Sequence, residues 1–121
     1  MKEIRNSNKI KPILPSLRER KRYVVFNIIS NKKTEYKPVF NEIISSFKKL
    51  FGEVLLGKAG LMALDGTWNK EKQSGAFRVN RKYLDQARAA MTLVKQINDN
   101  KIIIRSVGVS GILKKAKQKW L

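Results

Sequence analysis

The amino-acid sequence predicts an α+β fold, in which a four-stranded antiparallel sheet has two helices on one face and a further helix at its C-terminus. Two observations predict this class. Four segments are short, apolar and rich in β-branched residues, and two segments between them repeat apolar residues at spacings of three and four. They follow one another as strand, helix, strand, strand, helix, strand, and 121 residues suffice for one domain with its own core.

The first strand and the first helix are the clearest elements. Residues 23–30 (YVVFNIIS) are apolar on both faces, which is typical of a strand inside a sheet. The first helix is predicted over residues 39–51, with Pro38 in its first turn and Gly52 at its end. Its apolar stripe consists of Val39, Phe40, Ile43, Ile44, Phe47, Leu50 and Phe51.

The remaining elements have weaker boundaries. Extended stretches at residues 53–64 and 75–81, separated by Asp65-Gly66 and a polar run, predict a hairpin with a long loop. A second helix is predicted over residues 83–97 and a fourth strand over residues 101–109. The last helix is predicted over 111–121, with Ser110 as its N-cap, Trp120 packed on the domain and lysines on its other side.

This order of elements is the split βαβ pattern of the ferredoxin-like fold, which RNA-recognition modules share. The first and third strands are then central. Strand alternation directs Val24, Phe26 and Ile28 toward the helices. It places on the opposite face Tyr23, Val25, Asn27, Arg78, Asn80 and Arg105, so we expect a polar, cationic sheet face there.

Charge is the main functional signal. The chain carries 27 Lys+Arg against 9 Asp+Glu, a formal net charge of +18, and residues 1–22 and 101–121 contribute +6 each. Such an excess predicts a polyanionic partner, nucleic acid in preference to an anionic membrane. We expect residues 1–13 to form a flexible basic arm and residues 14–121 to form one domain.

Several function classes are disfavoured by what the sequence lacks. It has no Cys, so a zinc site with thiolate ligands is excluded. It also has no His, the residue that most often acts as a general base. No two of its nine carboxylates form a recognisable metal-binding or acid/base pair, so we expect no catalytic residue, no metal site and no protein-bound cofactor. Without an apolar run near about 18 residues, a cytoplasmic protein with no membrane contact is expected.

The candidate RNA-binding residues lie in three groups. The first is the charge run before and into the first strand, the second is the outward sheet face, and the third is the last helix with its preceding turn. They are Arg18, Arg20, Lys21, Arg22, Tyr23, Asn27, Arg78, Asn80, Arg81, Lys82, Arg105, Ser110, Lys114, Lys115, Lys117 and Lys119. A solvated charge run and a solvated or protein-binding sheet face remain open alternatives.

The sequence contains two segments that are candidates for more specific RNA-binding devices. Residues 73–80 contain one aromatic residue where the first ribonucleoprotein motif has three, which disfavours a base-stacking RNA-recognition motif. The Gly-rich residues 107–111 could hold a phosphate on backbone N–H groups, and a tight strand-to-helix turn explains them equally well.

Four segments carry a family likeness in a fixed order. They are LPSLRERKRY at residues 14–23, LFGE at 50–53, RAAMTLV at 88–94 and IIIRSVGVSGILKK at 102–115. They resemble the LPPTLR(D/E)KKRY opening, the LGE turn, the RxALTLV helix and the IIRTLGVSGTIKR ending of the archaeal ribonuclease P protein component 2 family, related to a small subunit of the eukaryotic nuclear enzyme.

This resemblance implies a subunit that binds and stabilises the catalytic RNA of ribonuclease P, which removes the 5′ leader of precursor tRNA. The RNA would be the catalyst and would use Mg²⁺, with the protein non-catalytic by itself. The implied partners are the ribonuclease P RNA, precursor tRNA, a larger TIM-barrel-like protein component 3 and other protein subunits, with a possible homodimer inside a heterotetramer. A free-standing RNA-binding or ribosomal module is the alternative.

Overall fold

The computed structural model describes residues 20–121, so the expected arm at residues 1–13 and the candidate Arg18 lie outside the described residues. The elements are β1 (Lys21–Ser30), α1 (Tyr36–Ala59), β2 (Met62–Asn69), β3 (Ser74–Asn80), α2 (Leu84–Thr92), β4 (Gln96–Ile97), β5 (Asn100–Ser110) and α3 (Leu113–Trp120). All strand pairs are antiparallel, in the order β2-β3-β1-β5-β4. The α+β class and the central position of the first and third strands are therefore confirmed.

The sheet has five strands where four were predicted. The additional strand is β4, which forms a hairpin with β5 through Asn98 and Asp99. Both residues have positive φ angles, 52° and 66°, as a type I′ turn requires. The prediction that the second helix reaches Ile97 is wrong, because α2 ends at Thr92 and Ile97 is buried as a strand residue instead.

The segment after Gly52 is helical to Ala59, so the predicted extended stretch at residues 53–64 is wrong except for its last three residues, which begin β2. Gly52 has φ 88° and ψ 168°, a non-helical conformation that breaks α1 without ending it. Residues 53–59 then continue as helix because Leu55 and Leu56 pack against the core. The helix finally ends at Gly60, whose φ of 64° is left-handed.

The predicted turn at Asp65-Gly66 is also misplaced, because both residues lie inside β2. The pairing of β2 with β3 shifts register between Leu64 and Asn69. Backbone N–H and C=O groups at the shift therefore lack a partner in the neighbouring strand. The Tyr36 hydroxyl replaces part of the ladder: it donates to the Ala76 carbonyl at 2.7 Å and accepts from the Leu64 N–H at 2.8 Å. Burial raises the pKa of Tyr36 to about 12.

The sheet separates two apolar layers. On its helix face, Val24, Phe26 and Ile28 pack with residues of α1 and α2, as predicted. On its outer face, Val25 and Ala76 pack against Ala116 of α3, with Leu64, Trp120 and Leu121 around them. The last helix therefore lies on the opposite side of the sheet from the other two. Within residues 20–121, the helices are too short or too polar to cross a bilayer.

Candidate nucleic-acid interface

Helix α3 closes the middle of the outer face. The residues beneath it are a cross-strand row in which Ala76, Val25 and Gly108 lie side by side. Trp120 packs so closely on Gly108 that a Cβ atom there would lie 2.3 Å from the indole. Only glycine leaves room for this contact, and the expected packing of Trp120 on the domain is confirmed. Bases cannot stack on the centre of the sheet while α3 occupies it.

On one side of α3, a second row of outer-face residues remains accessible. Tyr23 of β1 lies opposite Arg78 of β3 and Ser110 of β5. The ring and the guanidinium are half-buried. The Nε atom of Arg78 is buried and has no hydrogen-bond partner among the described residues. A buried donor without a partner is unfavourable, but this atom is shielded from solvent, so an anion at this row is attracted by the charge of the guanidinium and not by its Nε atom.

The same end of the sheet gathers six cations, which we call the cation cluster: Arg20, Lys21, Arg22, Arg78, Arg81 and Lys82. The Arg81 N–H donates to the Arg20 carbonyl at 2.7 Å, which holds the residues flanking β1 and β3 together. The Arg22 guanidinium bonds the Lys21 carbonyl at 2.9 Å and lies beside Gly111, at the start of α3.

No carboxylate neutralises the cation cluster within the described part of the chain. The ion pairs between described residues join Lys33 to Glu71, Lys48 to Glu53 and Lys70 to Glu35. The acidic side chains that have an ion-pair partner thus lie on other parts of the surface. Like charges held at one sheet end repel one another, and the repulsion is relieved when a polyanion binds.

The other candidates lie elsewhere on the outer face and on α3. Asn27 and Arg105 lie beyond the covered row, where the Arg105 Nε donates to the Asn27 side-chain oxygen at 3.2 Å. The α3 lysines are exposed, and one of them, Lys119, has its Nζ 5.2 Å from the Trp120 ring centroid. Their full set is Lys114, Lys115, Lys117 and Lys119.

Two predicted placements are wrong. Asn80 does not face outward: it is 5% exposed, donates to the Lys58 carbonyl at 2.9 Å and accepts from the Lys21 ammonium, because it closes the end of α1. Ser110 is not the N-cap of α3, since Ile112 holds that position without a side-chain cap. Ser110 instead accepts from the Ile112 N–H at 3.1 Å, within the turn before the helix.

The Gly-rich stretch at residues 107–111 is largely strand. β5 runs to Ser110, with a register shift opposite Val25 and Phe26, and Gly108 faces Trp120. The tight-turn interpretation is therefore wrong for residues 107–110, and Gly108 is required inside the strand because the Trp120 ring packs on it. Sequence reasoning missed this role of Gly108. A glycine inside a strand pattern followed by a helix that carries a lone Trp was the available signal.

Comparison with known proteins places this geometry in a family. The model of the Rpp14/Pop5 family matches residues 22–121. A protein named ribonuclease P protein component 2 from Thermococcus gammatolerans is 35% identical over 113 residues, covering 93% of this chain and 92% of its own. The proteins of the same name from Archaeoglobus fulgidus and Pyrococcus furiosus are each 34% identical, covering 93% and 95% of this chain and 98% and 94% of their own.

A solved structure shares the fold. A chain in the cryo-EM structure of yeast ribonuclease MRP superposes with a TM-score of 0.57, at 11% sequence identity, over 78% of this chain and 76% of that chain. The fold of this chain is thus one already seen in a solved structure. The chain belongs to the Rpp14/Pop5 family.

Proposed function

We propose that this protein is a subunit of ribonuclease P that binds and stabilises the catalytic RNA, and that the RNA removes the 5′ leader from precursor tRNA. The observation that carries the proposal is the cation cluster, which has no ion pair with a carboxylate among residues 20–121 and is held at one end of the sheet, in a chain whose relatives bear the name ribonuclease P protein component 2.

The mechanism we propose is electrostatic. Arg20, Arg22, Arg78 and Arg81 present planar forks that suit phosphate oxygens, and each neutralised phosphate releases counterions. Contacts to the RNA backbone are favoured over base stacking because α3 covers the centre of the sheet. Folding of the RNA core then requires less Mg²⁺, while hydrolysis uses metal ions bound by the RNA and none bound by the protein.

The wider assembly is part of the same proposal. The partners would be precursor tRNA, a larger TIM-barrel-like protein component 3 and other protein subunits, with a homodimer inside a heterotetramer, in the cytoplasm. A protein that acts alone in RNA binding, or in the ribosome, would lack these partners. Affinity purification followed by RNA sequencing separates the two: enrichment of ribonuclease P RNA supports the proposal, and enrichment of ribosomal RNA alone contradicts it.

Reconstitution tests the mechanism. Purified protein mixed with the RNA and the sister subunits should restore cleavage of precursor tRNA at low Mg²⁺. Replacing Arg18, Arg20 and Arg22 by Ala should lower that activity, and high Mg²⁺ should partly restore it, because the metal then neutralises the phosphates. Robust cleavage by the RNA-free protein, or activity indifferent to the three substitutions, would overturn the proposal.

A further inference from the structure

The outer edge of β5 is open along most of its length. β4 pairs only with Lys101 and Asn100, and the Ile102 N–H donates to the Lys95 carbonyl at 2.9 Å. Past Ile102, no strand within residues 20–121 pairs with this edge. Because backbone groups alternate between the two edges of a strand, Ile104 and Ser106 direct their N–H and C=O groups to the same side as Ile102. An unpaired edge of this kind can accept another strand.

Exposed apolar side chains lie beside this edge. Ile103 of β5 is 60% exposed and lies opposite Ile29 of β1, which is 48% exposed. Both line an open cleft of about 680 Å³ where β1 ends and β5 begins, which also reaches Thr92 and Val94 at the end of α2. α3 covers the row of Val25 and Gly108, two rows away, and leaves this pair bare. Adjacent apolar side chains left in solvent next to a concave surface are typical of a docking site.

The charges around the cleft define what it can bind. Lys95 and Lys101 line it, and Arg105 follows Ile103 on the same face of β5. No Asp or Glu belongs to the described lining. A second copy of this chain, with its own net charge of +18, would set like charges against these cations. An acidic segment would be attracted to them.

We propose that the open edge of β5 binds an extended segment of a partner protein in which acidic and apolar residues alternate. The segment adds a strand to the sheet through the backbone groups of Ile104 and Ser106. Its outward side chains then lie over Ile103 and beside Arg105. This surface lies across α3 from the cation cluster, so it is a second interface, and it does not depend on the proposed RNA function.

The test uses the full-length chain, labelled with ¹⁵N, and short synthetic peptides in which Val and Glu alternate. A peptide of equal composition with a central Pro and a Val-Lys peptide serve as controls. At a peptide concentration about ten times Kd, hydrogen exchange of the Ile104 and Ser106 amides should slow about tenfold, because only the free fraction still exchanges. The Pro-containing and Val-Lys peptides should leave both amides unchanged.

Two variants with equal charge change locate the site. Ile103→Glu should weaken binding of the Val-Glu peptide about tenfold, which is about 1.4 kcal/mol. Val54→Glu, at an apolar residue of α1 that is 69% exposed outside the cleft, should leave that affinity unchanged. Both variants should bind RNA equally. A failure of the proposed peptide site can therefore be told apart from a failure of the proposed RNA-binding function. The proposal would be overturned if both variants weakened peptide binding equally, or if the peptide did not slow hydrogen exchange at the Ile104 and Ser106 amides. It would also be overturned if single-stranded oligouridine, and not the peptide, protected these two amides.

Discussion

The salt dependence of RNA binding measures how many cations of the cluster contact phosphates. We consider a triple variant in which Arg20, Arg81 and Lys82 are replaced by Gln. All three side chains are exposed, so their removal leaves the core untouched. The affinity for ribonuclease P RNA is measured by filter binding or fluorescence anisotropy over a series of KCl concentrations.

The magnitude follows from the size of the cluster. If all six cations each neutralise one phosphate, log affinity falls with log salt at a slope of about −5.4, at about −0.9 per contact. Between 50 and 200 mM salt this is an affinity loss of about two-thousandfold. Three contacts remain in the variant, so its slope should be about −2.7 and its loss about fortyfold over the same range.

A matched variant separates local contacts from net charge. Replacing Lys32, Lys37 and Lys49 by Gln removes an equal number of positive charges from exposed positions outside the cation cluster. Lys32 lies in the loop after β1, and the other two lie on α1. Its slope should stay at about −5.4. Equal slopes for the two variants, or a cluster variant whose slope matches the parent protein, would refute the assignment of the phosphates to this sheet end.

Three further predictions concern stability, each measured by denaturant unfolding unless stated. Tyr36→Phe should cost about 1–3 kcal/mol, because the phenol bridges two backbone groups. The raised pKa means that the unfolded chain loses this proton first, so the parent should lose stability between pH 10 and about 12 and the Phe variant should lack that loss. Gly108→Ala should displace α3 and speed hydrogen exchange of its amides, whereas adding Trp120→Ala should relieve the clash; slow exchange in the single variant contradicts this. Gly52→Ala should destabilise by about 1–2 kcal/mol through its φ of 88°, and the helical Gly57→Ala should stabilise by about 0.5–1 kcal/mol; equal effects would contradict the backbone argument.

The sequence predicts the elements whose signal is local. β1 is apolar on both faces, and a buried central strand needs that composition. The stripe from Val39 to Phe47 is buried as a helix face, and the outward direction of Tyr23, Arg78 and Arg105 follows from strand alternation. The gathering of most of the cation cluster follows from its position in the chain, since Arg20 precedes β1 and Arg81 follows β3.

What escaped prediction depends on contacts between distant residues. Gly52 has the residue type of a helix end, yet the leucines after it are drawn back to the core, so the chain resumes its helix. Asp65-Gly66 has the sequence of a turn, yet Tyr36 and Thr67 supply hydrogen bonds that let β2 continue through it. Asn80 points inward because a helix carbonyl 22 residues earlier needs a donor.

The placement of α3 gives the two indoles separate environments. Trp68 packs among the aromatic rings of the helix face, and Trp120 lies on the outer face over Gly108. Intrinsic fluorescence of the two single-Trp forms would therefore report each layer alone. Iodide quenching of Trp120 would follow detachment of the C-terminal helix, while an unchanged Trp68 spectrum would show that the rest of the domain stays folded.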